Sequence, residues 1–194
     1  RRLLLLLTAA AAVALGWVAL TTLATGSAIA TWAPCPRNWT WVPAYLPRQS
    51  PLEFHAFKVG AAHAKVCYGS PALAGRKMLG GEAVPFGKLW RTGANEPTTL
   101  HLDRVVRVGE LVLHAGSYSI YTVPGERDWT VVLNRATRQW GIESDYTPDV
   151  AAQEVGRDLV RARPLDSLVE RMTFSSEPSA TGAVDPVLEW QGTQ

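Results

Sequence analysis

The chain opens with a long segment that carries no charge, and this segment constrains the fold more than any other feature. Residues Leu3–Trp32 contain no Asp, Glu, Lys, Arg or His, and only Arg1 and Arg2 precede them. An ordinary cytosolic protein is therefore excluded. The segment is either a secretory signal that ends at the small residues Ala28-Ile29-Ala30, or a retained transmembrane helix. A signal core runs about 7–15 residues and a span needs about 20, so the apolar run Leu3–Leu20 favours a retained helix over residues 1–32.

Charge sets the orientation expected for this span. Arg1 and Arg2 should stay in the cytoplasm, because basic residues favour that side of a membrane. We therefore expect a bacterial inner-membrane protein whose remaining chain faces the periplasm. The aromatic residues that follow the span either lie at headgroup level or pack under the globular domain; they are Trp32, Trp39, Trp41 and Tyr45.

One side of the predicted helix is rich in small residues, which allow helices to approach closely within lipid. They are Ala12, Gly16, Ala19, Gly26 and Ala30. Several threonines make the second half of the span weakly apolar, so that half would be a poor surface to expose to lipid. We therefore expect other membrane-protein subunits as partners, although a second copy of the chain is also compatible with this face.

Residues 33–51 are predicted to be an extended linker. Prolines fix φ and remove backbone donors, which disfavours helices and inner strands; they are Pro34, Pro36, Pro43, Pro47 and Pro51. Cys35 lies at the start of this linker and Cys67 lies in the domain that follows. Outside the cytosol these two cysteines could form a disulfide, but sequence alone cannot supply the distance between them.

The balance of charge excludes one class of partner. Without Arg1 and Arg2, the 19 Lys and Arg of the chain fall to 17, which equals the 17 Asp and Glu. A neutral body lacks the excess of cations that phosphate contacts require, so we expect no nucleic-acid binding. With only two cysteines, the chain also lacks the ligands for a four-cysteine zinc site.

Residues 52–194 have the pattern of an all-β domain. Short β-branched and aromatic runs alternate with Gly, Pro, Asn and Asp turns, which favours an antiparallel β-sandwich or a barrel-like domain. One helical turn is expected within residues 147–156, and tight turns at Gly109 and at Pro124–Asp128. The predicted strands are Glu53–Val59, Ala64–Tyr68, Thr98–Leu102, Arg104–Val108, Glu110–His114, Gly116–Val123, Trp129–Asn134, Arg157–Arg163, Leu168–Ser175 and Pro186–Gln191.

Three segments of this domain carry recognisable motifs: Tyr68–Gly80 with its Gly75-Arg76 pair, Trp90–Glu96, and Gly116–Gly125, which continues into the strand ending at Asn134. Together they resemble a bacterial family of exported proteins, the domain-of-unknown-function family numbered twenty-nine eleven. The resemblance spans roughly residues 52–191 and implies a β-rich exported domain without an established activity. The chain departs from the family pattern in having His114 where Pro is usual, and in its long Trp- and Pro-rich linker.

The motif residues allow two interpretations. Arg76 and Arg91 could bind a carboxylate or phosphate, with Asn95 and Glu96 beside them and an aromatic wall built from Trp90, Tyr118, Tyr121 and Trp140. The same residue types also hold irregular loops together, and we favour this structural role. The sequence has no nucleophile elbow, phosphate loop or dinucleotide fingerprint, and its four histidines are not spaced as a metal site. We therefore expect no catalytic residue, no metal and no cofactor.

These observations lead to two functional hypotheses. The first is a non-catalytic accessory subunit of a larger membrane complex, such as a respiratory or photosynthetic assembly. The second is a membrane-anchored periplasmic module that binds a small ligand or a glycan.

Overall fold

A computed structural model describes residues 28–35, 48–179 and 183–194 of the chain. The described residues form ten β-strands, one helical turn, α1 (Pro148–Ala151), and short 3₁₀ turns at Ala28–Thr31 and Glu143–Asp145. The strands are β1 (Leu52–Val59), β2 (Ala62–Gly69), β3 (Thr98–Leu102), β4 (Val106–Val108), β5 (Leu111–Leu113), β6 (Gly116–Val123), β7 (Asp128–Asn134), β8 (Glu154–Arg161), β9 (Pro164–Pro178) and β10 (Val184–Thr193). The all-β class predicted from the sequence is confirmed.

Six of the strands form one antiparallel sheet in the order β1-β2-β3-β6-β7-β8. Strands β9 and β10 form a long second hairpin, and β4 and β5 form a short third one. The turn between β4 and β5 needs a positive φ, which Gly109 supplies at 54°. Neighbours in the main sheet are mostly consecutive in the chain, because antiparallel strands can be joined by short turns.

The two faces of the main sheet differ in character because alternate side chains of a strand point to opposite sides. We call one side the apolar face. Its residues form a single core with side chains from the β9–β10 hairpin, so the domain has two packed layers and is sandwich-like. This core includes Val66, Leu100, Tyr118, Trp129, Leu133, Met172, Phe174 and Trp190. We call the other side the polar face, since Lys65, His101, Ser119 and Asn134 are all buried on it.

The predicted strands match the observed ones closely, and two match residue for residue, β3 and β6. The main error concerns length. Strand β9 was expected to span Leu168–Ser175 but runs from Pro164 to Pro178, because its ladder with β10 continues through irregularities near Gln191. The residues added at its two ends include exposed Asp166, Ser167 and Glu177, so these ends carry no regular apolar pattern to mark them as strand. Strand β8 likewise begins at Glu154, three residues before the predicted start.

The predicted membrane span falls almost wholly outside the described residues. Of the residues expected on its packing face, Ala12, Gly16, Ala19 and Gly26 lie outside them, and Ala30 lies within. Ala30 is buried in the 3₁₀ turn Ala28–Thr31, which lies against β2, β3 and β6. The last residues assigned to the span therefore belong to the globular domain. In the part of the chain that the structure describes, no helix is both long enough and apolar enough to cross a bilayer.

Candidate functional site

The motif segment Trp90–Glu96, here called the motif loop, begins as an extension of the main sheet. The backbone N–H of Trp90 donates to the carbonyl of Thr122 at 2.7 Å, and the N–H of Thr122 donates back at 2.9 Å. Hydroxyl groups then tie the loop together. The Oγ1 of Thr92 donates to the Oγ1 of Thr122 at 3.1 Å, and the Oγ1 of Thr98 donates to the Thr92 carbonyl at 2.6 Å. These bonds attach the loop to β6, an inner strand of the main sheet.

A glycine on β2 allows the motif loop to pack against the sheet. The backbone N–H of Ala94 donates to the carbonyl of Gly69 at 3.1 Å. A Cβ atom added at Gly69 would lie 1.8 Å from the carbonyl oxygen of Ala94, well inside van der Waals contact. Any larger residue at this position would push the two backbones apart. The glycine of the first motif segment is therefore required by the second.

Glu96 of the motif loop forms a buried ion pair with Arg48. The Nη1 of Arg48 lies 2.8 Å and 2.7 Å from the two carboxylate oxygens, and the two side chains are only 9% and 4% exposed. Breaking a buried pair by removing one charge typically costs about 3–5 kcal/mol, because the other charge is left uncompensated. The Nη2 of Arg48 is buried and has no hydrogen-bond partner among the described residues.

Arg91 and Asn95 stabilise the loop from within. The Nη1 of Arg91 donates to the carbonyl of Asn95 at 3.1 Å, and the Nδ2 of Asn95 donates to the carbonyl of Ser50 at 3.2 Å. Asn95 has a φ of 65°, a left-handed conformation that asparagine tolerates better than most residues. The Nε of Arg91 is buried without a hydrogen-bond partner in the described part of the chain.

Arg76 has a different role, because its side chain stabilises the turn in which it lies. Its Nε donates to the carbonyl of Leu73 at 3.1 Å and its Nη2 donates to the carbonyl of Ala72 at 3.3 Å. Both acceptors precede it by only a few residues. The structure thus gives Arg76 a local role and does not bring it into a cluster with Arg91.

The four predicted aromatic residues do not form one wall. Trp90 is buried in the apolar core, stacked on Trp190 with ring centroids 5.7 Å apart. Tyr118 is buried on the same face and donates to the carbonyl of His114. Tyr121 is fully buried on the polar face, where its hydroxyl accepts from the Nε2 of Gln139, and burial raises its pKa. Trp140 is partly exposed and makes interactions of its own.

The polar face carries a row of hydrogen-bonding side chains that the motif analysis missed. Strand register places Lys65, His101 and Ser117 side by side on β2, β3 and β6. The Nδ1 of His101 lies 2.8 Å from the Ser117 hydroxyl, and its Nε2 lies 3.1 Å from the hydroxyl of Thr99. Burial, aided by the positive charge of Lys65, lowers the pKa of His101 to about 4, so the imidazole is neutral. Alternating polar residues along β6 were the sequence signal for this row.

Residues Ala28–Cys35, here called the strap, cover this row. Ala30 and Thr31 are buried, and the Nζ of buried Lys65 donates to the carbonyl of Ala33. Burial lowers the pKa of Lys65. The strap ends at a disulfide that joins Cys35 to Cys67 on β2, with Cα atoms 5.7 Å apart. Residues 33–35 of the predicted linker are thus fixed on the sheet.

The middle of the strap rests on a hydrogen-bonded pair, His63 and Asp103. The ring of Trp32 lies 4.9 Å from the ring of His63. The Nδ1 of His63 lies 2.8 Å from the carboxylate of Asp103, whose other oxygen accepts from the His63 backbone N–H at 2.7 Å. Burial acts to raise the pKa of Asp103, but these hydrogen bonds from His63 outweigh it and lower the pKa below its usual value.

Asn134 is buried on the polar face and holds the loop that follows β7 in place. Its Nδ2 donates to the carbonyl of Val150 at 2.7 Å, and its Oδ1 accepts from the N–H of Ala136 at 2.7 Å. The hydroxyl of Tyr146 donates to Glu154; burial, and then this bond, raise the pKa of Tyr146 to about 12. The last residue of the third motif is thus a loop anchor.

Across residues 28–35, 48–179 and 183–194, no group of three or more His, Cys, Asp or Glu side chains is placed to hold a metal ion. The motif residues are instead engaged with backbone carbonyls, with one another, or with Arg48. The arrangement is suited to holding a domain rigid and to fixing the strap on its surface.

The comparisons with known proteins agree with the motif analysis. A family model described as "Protein of unknown function (DUF2911)" matches residues 50–194. The family that the motifs resembled is therefore confirmed. A search of the curated proteins and a search of the solved structures each gave no match. The strap and Arg48 lie before the matched range, so two of the features that close this domain are contributed from outside it.

Proposed function

The chain belongs to the DUF2911 family of proteins of unknown function, and on that premise we propose that it is a non-catalytic accessory subunit of a larger membrane complex. One helix would anchor it in the bacterial inner membrane with its N-terminus in the cytoplasm and its β domain in the periplasm. Its partners would be other membrane-protein subunits, with respiratory or photosynthetic assemblies as candidate hosts. The strap carries this proposal, because it joins the uncharged N-terminal segment to the domain.

The strap supports anchoring through its rigidity. Residues Leu3–Ser27, which precede it, are uncharged and exceed the roughly 20 residues that a span requires. The strap then lies on the sheet, with Ala30 and Thr31 buried and Cys35 bonded to Cys67. A domain joined this way to a span is held in a fixed position at the bilayer surface. Fixed geometry suits a subunit that must meet neighbours in one orientation.

The disulfide supports the proposed compartment. Disulfides persist in the periplasm and in secreted proteins but are rare in the cytosol. Cys67 is buried, and its bond to Cys35 closes a sequence separation of 32 residues. The orientation predicted from Arg1 and Arg2 places both cysteines on the oxidising side of the membrane.

The internal roles of the motif residues support a non-catalytic function. Glu96 pairs with Arg48, Arg91 donates to its own loop, and Arg76 donates to its own turn. An active site usually presents titratable groups with unusual pKa values in a cleft. Here the most perturbed histidine, His101, lies neutral beneath the strap.

Isolation of the complex tests this proposal. The full chain is tagged in its native membranes, solubilised gently, and analysed by native mass spectrometry with crosslinking. We expect another membrane protein to copurify, with crosslinks through residues 9–50. Recovery as a monomer or as a dimer of itself, with no such crosslinks, would contradict the proposal. Release by alkaline carbonate would contradict the anchor.

A second candidate function, a module for a small anion or a glycan, rests on one nitrogen in each of two guanidinium groups that has no hydrogen-bond partner among the described residues. The Nη2 of Arg48 and the Nε of Arg91 are both buried without partners in the described residues. A buried donor without an acceptor is costly, and an anion would relieve it. Calorimetry of the full chain with phosphate and with simple carboxylates tests this, with Arg91→Lys as the variant. Binding that this variant weakens would favour the second function.

A further inference from the structure

We propose that Trp32, Phe54 and Lys58 form a contact with lipid headgroups that fixes which side of the domain faces the bilayer. This proposal rests on the membrane anchoring proposed above and adds the surface that meets the lipid. These three residues lie beside the strap, where the uncharged segment would leave the bilayer.

The exposure of the two aromatic residues is the first argument. Trp32 is 71% exposed and Phe54 is 63% exposed, although both are large and apolar. Single exposed apolar residues are common on soluble proteins and need no explanation. Two exposed aromatic rings beside the end of a predicted membrane span are a different case, because aromatic residues concentrate at the level of lipid headgroups.

Strand register places the three residues along one border. Phe54 is paired with Cys67 on β2 and Lys58 is paired with His63, so both project from β1 on the polar face. The strap runs along β2 at the same two levels. Cys35 is bonded to Cys67, level with Phe54, and Trp32 packs on the ring of His63, level with Lys58. Ala56, between Phe54 and Lys58 on this face, is exposed as well.

The chemistry of this border suits a lipid surface. Lysine can extend its ammonium group to phosphates while its alkyl chain lies along apolar material. Lys58 is exposed, and its partner across the strand pair, His63, is hydrogen-bonded to Asp103. Exposed Glu53 projects from the opposite face of β1, away from the proposed contact. The border thus combines aromatic rings with a cation, and the Asp103 carboxylate beside it is occupied by hydrogen bonds from His63.

The length of chain before the strap also supports a contact with the bilayer. Residues 3–27 are uncharged and long enough to span a bilayer, so the span would end close to Ala28. Trp32 follows only four residues later, which is at most about 14 Å of extended chain. Because the strap is bonded to the sheet, Trp32 cannot move away from the domain. The bilayer surface and the border of β1 must therefore lie near each other.

Fluorescence quenching in proteoliposomes tests this contact. The full chain is reconstituted into vesicles of phosphatidylethanolamine and phosphatidylglycerol, with or without lipid brominated near the headgroup. The difference between the wild type and Trp32→Phe isolates the emission of Trp32. We expect bromination to lower this emission by about twofold or more, as for a ring at headgroup level.

A relocated probe supplies the matched comparison. In the Trp32→Phe background, Phe54→Trp is expected to be quenched to a similar extent. Leu168→Trp is the control, because Leu168 on β9 is as exposed, at 68%, but belongs to the second hairpin. No quenching is expected there. The proposal is overturned if a carbonate-resistant protein shows no quenching of Trp32, or shows equal quenching at positions 54 and 168. Extraction by carbonate would instead overturn the anchoring on which it rests.

Discussion

The two faces of the six-stranded sheet are buried by different means. The apolar face is covered by the β9–β10 hairpin, and its core holds three tryptophans, Trp90, Trp129 and Trp190. The polar face buries Lys65 and His101 beneath the strap and is closed by a covalent bond. On the apolar face, burial alone favours the packing of the hairpin, because removing apolar surface from water is favourable. The polar row offers less apolar surface, and the strap that covers it is held by the disulfide as well.

The largest loss of stability is expected for Trp190→Ala, a substitution on the apolar face. Trp190 is fully buried and stacks on Trp90. We expect the free energy of unfolding to fall by about 3–5 kcal/mol, as for other buried aromatic residues. Its Nε1 has no hydrogen-bond partner in the described chain, so removal of that unsatisfied group should place the loss at the lower end. Urea denaturation measures the change.

Trp32→Ala is the control for this substitution, since the residue type is the same but the ring is 71% exposed. Its cost should stay below about 1 kcal/mol. Similar losses for the two variants would show that the comparison of the faces is wrong.

The next largest loss of stability is expected when the strap is no longer bonded to the polar face. Replacing both Cys35 and Cys67 with alanine removes the disulfide, and we expect the free energy of unfolding to fall by about 2–4 kcal/mol. The strap should also become sensitive to proteolysis, because its remaining attachments are buried Ala30 and Thr31 and the bond to Lys65. Limited proteolysis followed by mass spectrometry detects cleavage within residues 28–35.

Treating the wild type with a reductant should reproduce the behaviour of this double variant, and the variant itself should not respond. A strap that stays protected without the disulfide would mean that the polar face holds its cover unaided. The two faces would then differ less than their composition implies.

The sequence predicted much of the fold because the fold depends on local patterns. Strands β3 and β6 were predicted to the residue, and the turn at Gly109 follows from the need for a positive φ. The motif segments identified the family correctly. These signals are contained within a few neighbouring residues, so no long-range information was needed.

The sequence predicted the site poorly because its contacts join distant residues. Glu96 finds its partner at Arg48, and His101 lies under residues that precede it by some 70 positions. Nothing near Glu96 in the chain distinguishes a ligand-binding carboxylate from a buried ion pair. The sequence likewise assigned the strap to a span and a linker. Its packing partners lie on β2, β3 and β6, which are distant in the chain and leave no local signal.

The third prediction concerns acid sensitivity of the polar face. Burial and the charge of Lys65 lower the pKa of His101 from 6.5 to about 4 in the folded state. The unfolded chain therefore binds the proton more readily, and stability falls as the pH drops below 6.5 until it nears 4. The loss attributable to His101 should be on the order of 2–3 kcal/mol. Urea denaturation at several pH values measures it.

His101→Gln should be less stable at neutral pH but should lack this part of the pH dependence. His114→Gln is the control, because His114 is exposed and lies outside the polar row. An identical slope between pH 6.5 and 4 in wild type and His101→Gln would contradict the assignment of a neutral, buried imidazole.

The smallest loss of stability is expected in the motif loop. Asn95 has a φ of 65° and donates from its Nδ2 to the carbonyl of Ser50. Asn95→Gly loses this bond but gains a residue suited to the conformation, so the cost should be about 1 kcal/mol or less. Asn95→Ala loses the same bond and adds the strain of a Cβ atom in the left-handed region, so it should cost about 1 kcal/mol more than the glycine variant. Urea denaturation of both variants compares them, and the order of the two costs is the decisive result.

If glycine costs as much as alanine, the amide matters more than the backbone conformation. Asn95 would then regain a place in the second candidate function, since an amide that does more than hold its own loop is what a ligand site requires.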